Sequence, residues 1–502
     1  MNLRAVAWLL GCVLLLLAAF MLVPMGIAAL YGEWDAFYAF LISVGITAVL
    51  GAAFALRNRG GTTTDDGHID FFRREGLAVV GLSWFLSGVV GALPFLIGGA
   101  IENPIDAFFE SVSGFTTTGS TILTGEQIDG LLYSFAFWRS FTHWLGGIGI
   151  VLVFVVLFPT GGRSLFRSEV PGIAREAVQS RVRDSALGLV RVYVILTVLE
   201  VAVLSMIGLP MFEATVHAMG TLATGGFSNH STSIAHFDSW MVEATVAFFM
   251  LLAGINFGLY AMFGSGWSHV WRAAKQSSEL RLYLGGILAS SIVIAGVLWF
   301  WGGSNGEVSS DLPDYSSLGL AVRDSVFAVV SMMTSTGYAT ADFDQWPELC
   351  RALLVCLALI GACAGSTGGG IKVVRFMILG KAALLGVNRF ARPRAIHSVR
   401  MDGQTLEPNM VSAVTGYFGL WALIFLLGTL ALTAMDIEVL TAGTAVLATL
   451  NNIGPGLNAV GPTGSFTEMP DLVKLLLSGF MILGRLEFYA VVVLFVPRFW
   501  RT

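Results

Sequence analysis

Four short stretches of the chain place glycine among hydroxyl and amide side chains within otherwise apolar surroundings. They read SGFTTTGST (113–121), TLATGGFS (221–228), MMTSTGYAT (332–340) and LNNIGPGL (450–457). Glycine lets the backbone take conformations that other residues avoid, so that carbonyl groups can turn to one side. Rings of backbone carbonyls can replace the water around a permeating cation, and this is the chemistry that these stretches suit.

Aligned on one glycine each, the stretches repeat at intervals of roughly 110 residues, longer than the usual solenoid periods. The alignment predicts a cation-binding segment in each repeat. The predicted residues are Thr116, Thr117, Thr118 and Gly119; Leu222, Ala223, Thr224 and Gly225; Thr334, Ser335, Thr336 and Gly337; and Asn451, Asn452, Ile453 and Gly454.

A short apolar segment precedes each of these glycines. Pro104 and Asp106 open the first segment, Pro210 and Glu213 the second, and Glu438 lies near the start of the fourth. Proline early in a helix and acids in its first turn predict a helix start. We therefore expect four short helices whose carbonyl ends, each with about half a negative charge, favour a cation.

The composition is that of a polytopic membrane protein. Of 502 residues, 55% are hydrophobic and only 12% are charged, with a mean hydropathy of +0.77. The four cysteines have neither metal nor redox spacing. The first apolar run continues past Cys12 to about Leu30, longer than a signal-peptide core, and predicts a retained helix. Ten apolar stretches can cross a membrane, near 5–30, 36–56, 76–97, 131–158, 186–209, 241–264, 282–301, 349–385, 411–434 and 471–496.

Basic and acidic loops alternate between these spans. The positive-inside rule places the basic loops, and both termini, in the cytoplasm. The acidic loops have two open explanations: the usual scarcity of basic residues outside, or a field that concentrates cations. The basic residues are Arg57, Arg59, Arg73, Arg74, Arg163, Arg167, Arg175, Arg181, Arg183, Arg272, Lys275, Arg389, Arg392, Arg394 and Arg400, with Arg4, Arg498 and Arg501 near the termini; the acids include Asp311 and Asp314.

Two spans separate each glycine stretch from the next, so all four repeats enter from the same face. Parallel repeats of this kind can surround one axis along the membrane normal. The predicted fold is an all-α polytopic membrane protein with ten transmembrane helices: four helix–pore loop–helix repeats around one pore and a two-helix N-terminal domain. The predicted domains are 1–70, 71–165, 180–266, 280–385 and 405–502.

The chain resembles the Trk/Ktr/HKT superfamily of potassium transporters, specifically its bacterial TrkH-type pore-forming subunit. The resemblance rests on FESVSGFTTTGST, ATGGFSNHSTS, TSTGYATADFDQWP, GACAGSTGGGIKVVR and NNIGPGL. It implies conduction of K⁺, and often Rb⁺, past one filter glycine per repeat. In that family a serine at the first glycine accompanies Na⁺ permeation, so Gly119 favours K⁺.

The sequence GACAGSTGGGIK (361–372) interrupts the eighth span. A glycine cluster this dense holds a regular helix only at a cost, although small residues also permit close helix packing. In the family the matching stretch is a gate below the filter. Arg485 either pairs with Glu487 or another carboxylate, or, as the resemblance implies, faces the pore as a fixed positive charge. Lys372 either forms a similar barrier or reaches the cytoplasmic interface. The gate residues are Gly361, Gly365, Ser366, Thr367, Gly368, Gly369, Gly370, Lys372 and Arg485.

The resemblance also implies partners: a second copy of the chain, and a cytosolic nucleotide-binding regulatory subunit of TrkA type, at the bacterial inner membrane. No dinucleotide fingerprint or P-loop occurs in the chain, so no organic cofactor is expected, and neither is nucleic-acid binding. A passive gated pore and a symporter coupling K⁺ to Na⁺ or H⁺ both remain open. An intramembrane enzyme is the distant alternative, because no GxSxG motif occurs.

Overall fold

The structure is a computed structural model that describes residues 1–58, 73–157, 182–262, 266–304, 315–391, 398–486 and 488–500. The predicted domain limits near residues 70, 165 and 180 fall outside these ranges. Several charged residues on which the predicted topology depends fall outside them as well: Arg59, Arg163, Arg167, Arg175, Arg181, Arg392, Arg394, Arg501, Asp311 and Asp314. Glu487, the predicted partner of Arg485, also falls outside them.

Helices make up nearly all of the regular structure that is described. The α-helices are α1 (Leu3–Tyr31), α2 (Trp34–Arg57), α3 (Arg73–Ile97), α4 (Pro104–Phe115), α5 (Gly125–Asp129), α6 (Tyr133–Leu157), α7 (Val182–Ile207), α8 (Met211–Leu222), α9 (Trp240–Ala253), α10 (Phe257–Ala261), α11 (Trp267–Gln276), α12 (Ser278–Ser304), α13 (Leu318–Met333), α14 (Glu348–Leu359), α15 (Val373–Ala391), α16 (Pro408–Thr433), α17 (Val439–Asn451), α18 (Asp471–Arg485), α19 (Tyr489–Val492) and α20 (Pro497–Trp500). Short 3₁₀ turns cover Ser233–Phe237, Phe343–Gln345, Asn458–Val460 and Val493–Phe495. Strands β1 (Arg400–Met401) and β2 (Gln404–Thr405) pair antiparallel, with Arg400 opposite Thr405.

Within the described residues, six helices are long and apolar enough to cross a membrane: α1, α2, α3, α7, α12 and α16. The predicted span at 349–385 divides into α14 and α15, as its glycine cluster indicated. Two other predicted spans are also interrupted. The span at 241–264 breaks after Ala253, where the Asn256 side chain accepts a hydrogen bond from Gly258 N and starts α10. The last span ends at Arg485, followed by Phe488 with a positive φ of 57°.

The N-terminal helices α1 and α2 form a closely packed antiparallel pair. A Cβ added at Gly11 would lie 2.6 Å from Ala55 N, and one at Gly51 would lie 3.0 Å from the Gly11 carbonyl oxygen. Small residues at such positions let two membrane helices approach closely, as is usual where lipid replaces water. Both helices pack against α3, and α1 also packs against α6, so the pair supports the first repeat from outside.

Four helices of 12 to 16 residues, α4, α8, α13 and α17, are called the inner helices below. Each follows a helix long enough to cross a membrane, α3, α7, α12 or α16, and comes before α6, α9, α14 or α18 along the chain. Inner helix α4 starts as predicted, with Pro104 in its first turn and the Asn103 side chain accepting from Ile105 N. The C-terminal halves of all four are buried, which brings their carbonyl ends into the interior.

Candidate functional site

Each inner helix ends in the same backbone motif. A residue with positive φ, between 52° and 59°, follows the helix: Thr117, Thr224, Ser335 and Asn452. The next residue donates its N–H to the carbonyl five positions earlier. These bonds are Thr118 to Ser113 (2.9 Å), Gly225 to Gly220 (2.8 Å), Thr336 to Ser331 (2.9 Å) and Ile453 to Ala448 (3.0 Å). This is the Schellman cap, and its fourfold recurrence fixes how the repeats align.

A glycine with φ between 81° and 93° follows two residues after each left-handed residue: Gly119, Gly226, Gly337 and Gly454. The glycine segments of the structure are therefore 116–119, 223–226, 334–337 and 451–454. The predicted register of the second segment, Leu222 to Gly225, is wrong by one residue. Leu222 is the last residue of α8, and Gly225 corresponds to Thr118. The sequence holds two consecutive glycines here, and only the backbone conformation distinguishes them.

The four glycines pack against one another in a closed cycle. A Cβ added at Gly119 would overlap the carbonyl oxygen of Gly225 in the second segment. A Cβ added at Gly226 would overlap the carbonyl oxygen of Thr336 in the third segment, and a Cβ added at Gly337 would overlap the carbonyl oxygen of Ile453 in the fourth. A Cβ at Gly454 would lie 2.9 Å from the carbonyl oxygen of Thr118, which closes the cycle. The glycine segments therefore surround one axis in the order 1, 2, 3, 4, with the carbonyls that precede the glycines next to one another.

Hydrogen bonds behind the glycine segments hold their shape. The Thr116 and Thr118 hydroxyls lie 2.7 Å apart, and Thr334 and Thr336 repeat this pair at 2.7 Å. Asn452 Nδ2 donates to Thr118 Oγ1 (2.9 Å) and so links the fourth segment to the first. The Thr117 hydroxyl and Asn452 Oδ1 are buried and have no hydrogen-bond partner among the described residues.

Glu110 and Arg139 form a buried ion pair behind the first glycine segment. Arg139 Nε lies 2.8 Å from Glu110 Oε1, and the two side chains are 2% and 0% exposed. Glu110 also accepts from Ile122 N (3.0 Å), and Arg139 donates to the Ser228 carbonyl (3.0 Å). The pair thus ties α4 and α6 to the chain beyond the first two glycine segments, which gives Arg139 a structural role.

Replacing Glu110 with Gln should destabilise the protein strongly. The Arg139 charge would stay buried without its counterion, and breaking a buried pair in this way costs about 3–5 kcal/mol. The thermal unfolding midpoint of the purified variant in detergent measures the effect. Glu348→Gln is the control, because Glu348 is 88% exposed in its ion pair with Arg351. Equal midpoints for the two variants would contradict a structural role for the buried pair.

An outer cavity of about 760 Å³ opens at one end of the glycine segments. Gly119, Gly226, Gly337 and Gly454 all line it, whereas Gly225 does not. Its wall also carries carboxylates: Asp436, Glu438 and Glu468. At its edge His230 Nε2 lies 2.9 Å from Glu213 Oε2, and this hydrogen bond lowers the pKa of the Glu213 carboxyl. The cavity therefore holds negative charge over the closed cycle of glycines.

Residues 360–372, the glycine-rich loop, lie at the other end of the glycine segments. A Cβ at Gly368 would lie 2.9 Å from the Thr334 carbonyl oxygen, and one at Gly369 would overlap that of Asn451. Gly369 N also donates to Ser335 Oγ (2.5 Å). Since Thr334 and Asn451 open their segments while Gly337 and Gly454 face the outer cavity, the loop and the cavity lie at opposite ends.

The loop is held by a parallel bridge between Ile360 and Ile371 and by bonds to the break between α9 and α10. Cys363 N donates to the Gly254 carbonyl (3.0 Å), and Phe257 N donates to that of Gly365 (2.9 Å). The loop residues predicted from the sequence are thus brought together. Gly361 N donates to the Ile371 carbonyl, and Ser366 Oγ donates to the Cys363 carbonyl. Thr367 Oγ1 donates to the Ala253 carbonyl, Lys372 Nζ donates to the Gly368 carbonyl, and Gly370 has a φ of 69°.

Arg485 joins the loop to the first repeat. Its guanidinium donates to the Thr367 carbonyl (2.9 Å) and to the Gly146 carbonyl of α6 (3.1 Å). Glu487, the ion-pair partner predicted for Arg485, lies outside the described residues. Glu279 was not singled out in the sequence, yet its Oε1 accepts from Ala364 N (2.7 Å) and Val374 N (3.3 Å). No sequence signal distinguishes this glutamate from others at a helix start.

Re-entrant helices around one axis, with an open cavity at one end and a loop at the other, define a membrane transport protein. The chain belongs to the TrkH family of cation transport proteins, whose family model matches residues 45–280 and 292–502. The TrkH-type resemblance and the all-α polytopic fold are thereby confirmed. Because the family and its relatives are transporters and not enzymes, the intramembrane enzyme is excluded.

Named relatives match along the whole chain. The chain is 36% identical over 508 residues to the Trk system potassium uptake protein TrkH of Escherichia coli K12, covering 100% of both. It is 31% identical over 506 residues to the Trk system potassium uptake protein TrkI of Halomonas elongata, covering 100% of this chain and 96% of that one. The crystal structure of the potassium transporter TrkH from Vibrio parahaemolyticus matches with a TM-score of 0.86 at 32% identity, covering 100% of both chains.

Proposed function

We propose that the chain takes up K⁺, and Rb⁺, across the bacterial inner membrane through a selectivity filter made of its four glycine segments. The closed cycle of glycine and carbonyl contacts carries this proposal. Backbone carbonyls in such a ring replace the hydration shell of K⁺. The first repeat contributes Thr116 to Gly119 and the second Ala223 to Gly226.

Two further observations support a cation at this place. The carbonyl ends of the inner helices converge on the glycine segments, and each helix contributes about half a negative charge there. The Thr117 hydroxyl is buried without a hydrogen-bond partner among the described residues, so its oxygen is available to an ion at the inner end of the filter. K⁺ is the transported ion in this proposal and not a resident cofactor.

The proposal assigns the gate to the glycine-rich loop. The loop covers the inner end of two glycine segments through Gly368 and Gly369, and Arg485 fastens it to the first repeat. Conduction then requires the loop to leave this position. The positive charges of Arg485 and Lys372 add an electrostatic barrier to a cation while the loop is in place.

The proposed topology has both termini in the cytoplasm, and it divides the chain into a two-helix N-terminal domain and four pore repeats. A cytosolic nucleotide-binding subunit of TrkA type controls the gate, and the chain forms a homodimer with one pore in each copy. The names of the relatives, which belong to the Trk system, support the regulatory partner. The basic loops support the orientation.

Uptake of Rb⁺ into K⁺-loaded liposomes that contain the purified chain tests the function. We expect uptake without any Na⁺ or pH gradient, weakly inhibited by external Na⁺, because a carbonyl filter conducts passively. Serine at Gly119 should admit Na⁺ and sharply lower the selectivity for Rb⁺. Its side chain would overlap the Gly225 carbonyl and distort the ring.

Gly443→Ala serves as the matched control, since a Cβ there would meet only Thr429 Cγ2, at 3.9 Å. Uptake that depends on an imposed Na⁺ or H⁺ gradient would make the chain a symporter. If addition of the regulatory subunit also failed to produce any uptake, the proposal would be overturned.

A further inference from the structure

Helix α11 (Trp267–Gln276) lies on the face of the molecule opposite the outer cavity. It comes one residue before α12, and the inner helix α13 follows the far end of α12. Among the described residues, one side of α11 is packed against the protein, through buried Val270 and the half-buried Ala273 and Ala274. With 100° between successive residues of a helix, these three residues share one face.

Two tryptophans occupy the neighbouring side of α11. Trp267 and Trp271 are four residues apart, hence on one side of the helix, and are 68% and 56% exposed. Lys275 continues this side, with its Nζ 5.1 Å from the centre of the Trp271 ring. Arg272 lies farther round and is exposed. Around the helix the order is therefore a protein-packed face, tryptophans, cations and finally polar residues.

This order is the one required of a helix lying in the membrane surface beside its own protein. Tryptophan rings prefer the boundary between headgroups and acyl chains, and cations on the same helix are attracted to anionic headgroups. The membrane-spanning α12 begins at Ser278, directly after α11, so α11 is held at that depth. A fully aqueous setting would leave both tryptophan rings in water.

We propose that α11 is an interfacial helix that binds anionic phospholipid through Arg272 and Lys275, with Trp267 and Trp271 set into the headgroup boundary. The assignment of α11 to the cytoplasmic leaflet rests on the orientation given under the proposed function. The contact between α11 and lipid does not depend on that orientation. The helix also packs against α10, and Phe257 of α10 bonds the glycine-rich loop. Lipid bound here therefore acts next to the gate.

The test is native mass spectrometry of the full-length chain from phosphatidylcholine vesicles with and without phosphatidylglycerol. The wild type should retain phosphatidylglycerol in preference to phosphatidylcholine. Substituting Arg272→Gln and Lys275→Gln together should weaken this retention about thirtyfold, since each cation near an anionic surface contributes about 1 kcal/mol, or roughly fivefold.

Lys381→Gln is the matched control, because Lys381 is a cation of a different helix, α15, and donates to the Arg400 carbonyl. The thermal midpoint of each variant shows that it is folded. Unchanged phosphatidylglycerol retention in the double variant, or equal loss in the control, would overturn the proposal. Loss of regulatory-subunit binding with lipid retention intact would also overturn it, by making α11 a protein-docking site.

Discussion

Alanine at Gly226 should reduce Rb⁺ uptake roughly a hundredfold or more. The alanine Cβ would overlap the Thr336 carbonyl oxygen. The φ of 81° at this position lies in the left-handed region, where a side chain costs about 1–2 kcal/mol. The backbone would have to move away from the ring of carbonyls to which we assign ion selection. Uptake into K⁺-loaded liposomes at matched protein density measures the loss.

The same experiment separates the two possible registers of the second repeat. A Cβ at Gly225 would overlap the ring of His143, which is buried and bonded to the Gly114 carbonyl and to Phe227 N. Its nearest atoms belong to His143 and not to a carbonyl of the glycine segments, and Gly225 lies outside the left-handed region. Gly225→Ala should therefore retain more uptake than Gly226→Ala, while Gly443→Ala remains like the wild type. The opposite ranking, with Gly225→Ala the more damaging, would restore the register that the sequence alone indicated.

Much of the architecture follows from the sequence because membrane burial imposes simple rules. Apolar length gives the spans, and proline or acids at helix starts give α4 and α8. The repeated glycine gives the arrangement around one axis. The register at Gly225 and Gly226 does not follow, since it depends on which glycine takes the left-handed conformation. The contact of Glu279 with the glycine-rich loop joins residues 85 positions apart, and no local pattern reports it.

The left-handed residues that cap the inner helices are a second feature that the sequence does not reveal. Glycine would take this conformation without strain, yet the chain uses Thr117, Thr224, Ser335 and Asn452. One of these side chains contacts the glycine-rich loop, because Ser335 Oγ accepts from the loop residue Gly369. Strained backbone persists where function depends on it. At Ser335 the left-handed conformation places a hydroxyl oxygen between the third glycine segment and the glycine-rich loop.

Removing the Arg485 charge should raise ion flux through the chain in the absence of any regulatory subunit. Arg485→Gln loses two charge-assisted hydrogen bonds, to the Thr367 and Gly146 carbonyls. Such bonds contribute about 1.5–3 kcal/mol each, so the equilibrium between the closed and open loop should shift at least about tenfold. Rb⁺ uptake into liposomes holding the purified chain alone measures the shift.

Arg485→Lys distinguishes the two ways in which this residue could close the pore. Lysine keeps the positive charge but lacks the planar fork that reaches two carbonyls at once. If Arg485 acts by fastening the loop to α6, the lysine variant should leak nearly as much as Arg485→Gln. If the charge alone repels cations, the lysine variant should stay closed. Arg351→Gln, which alters an ion pair with Asp344 and Glu348, should change nothing. Unchanged flux in Arg485→Gln would remove Arg485 from the gate altogether.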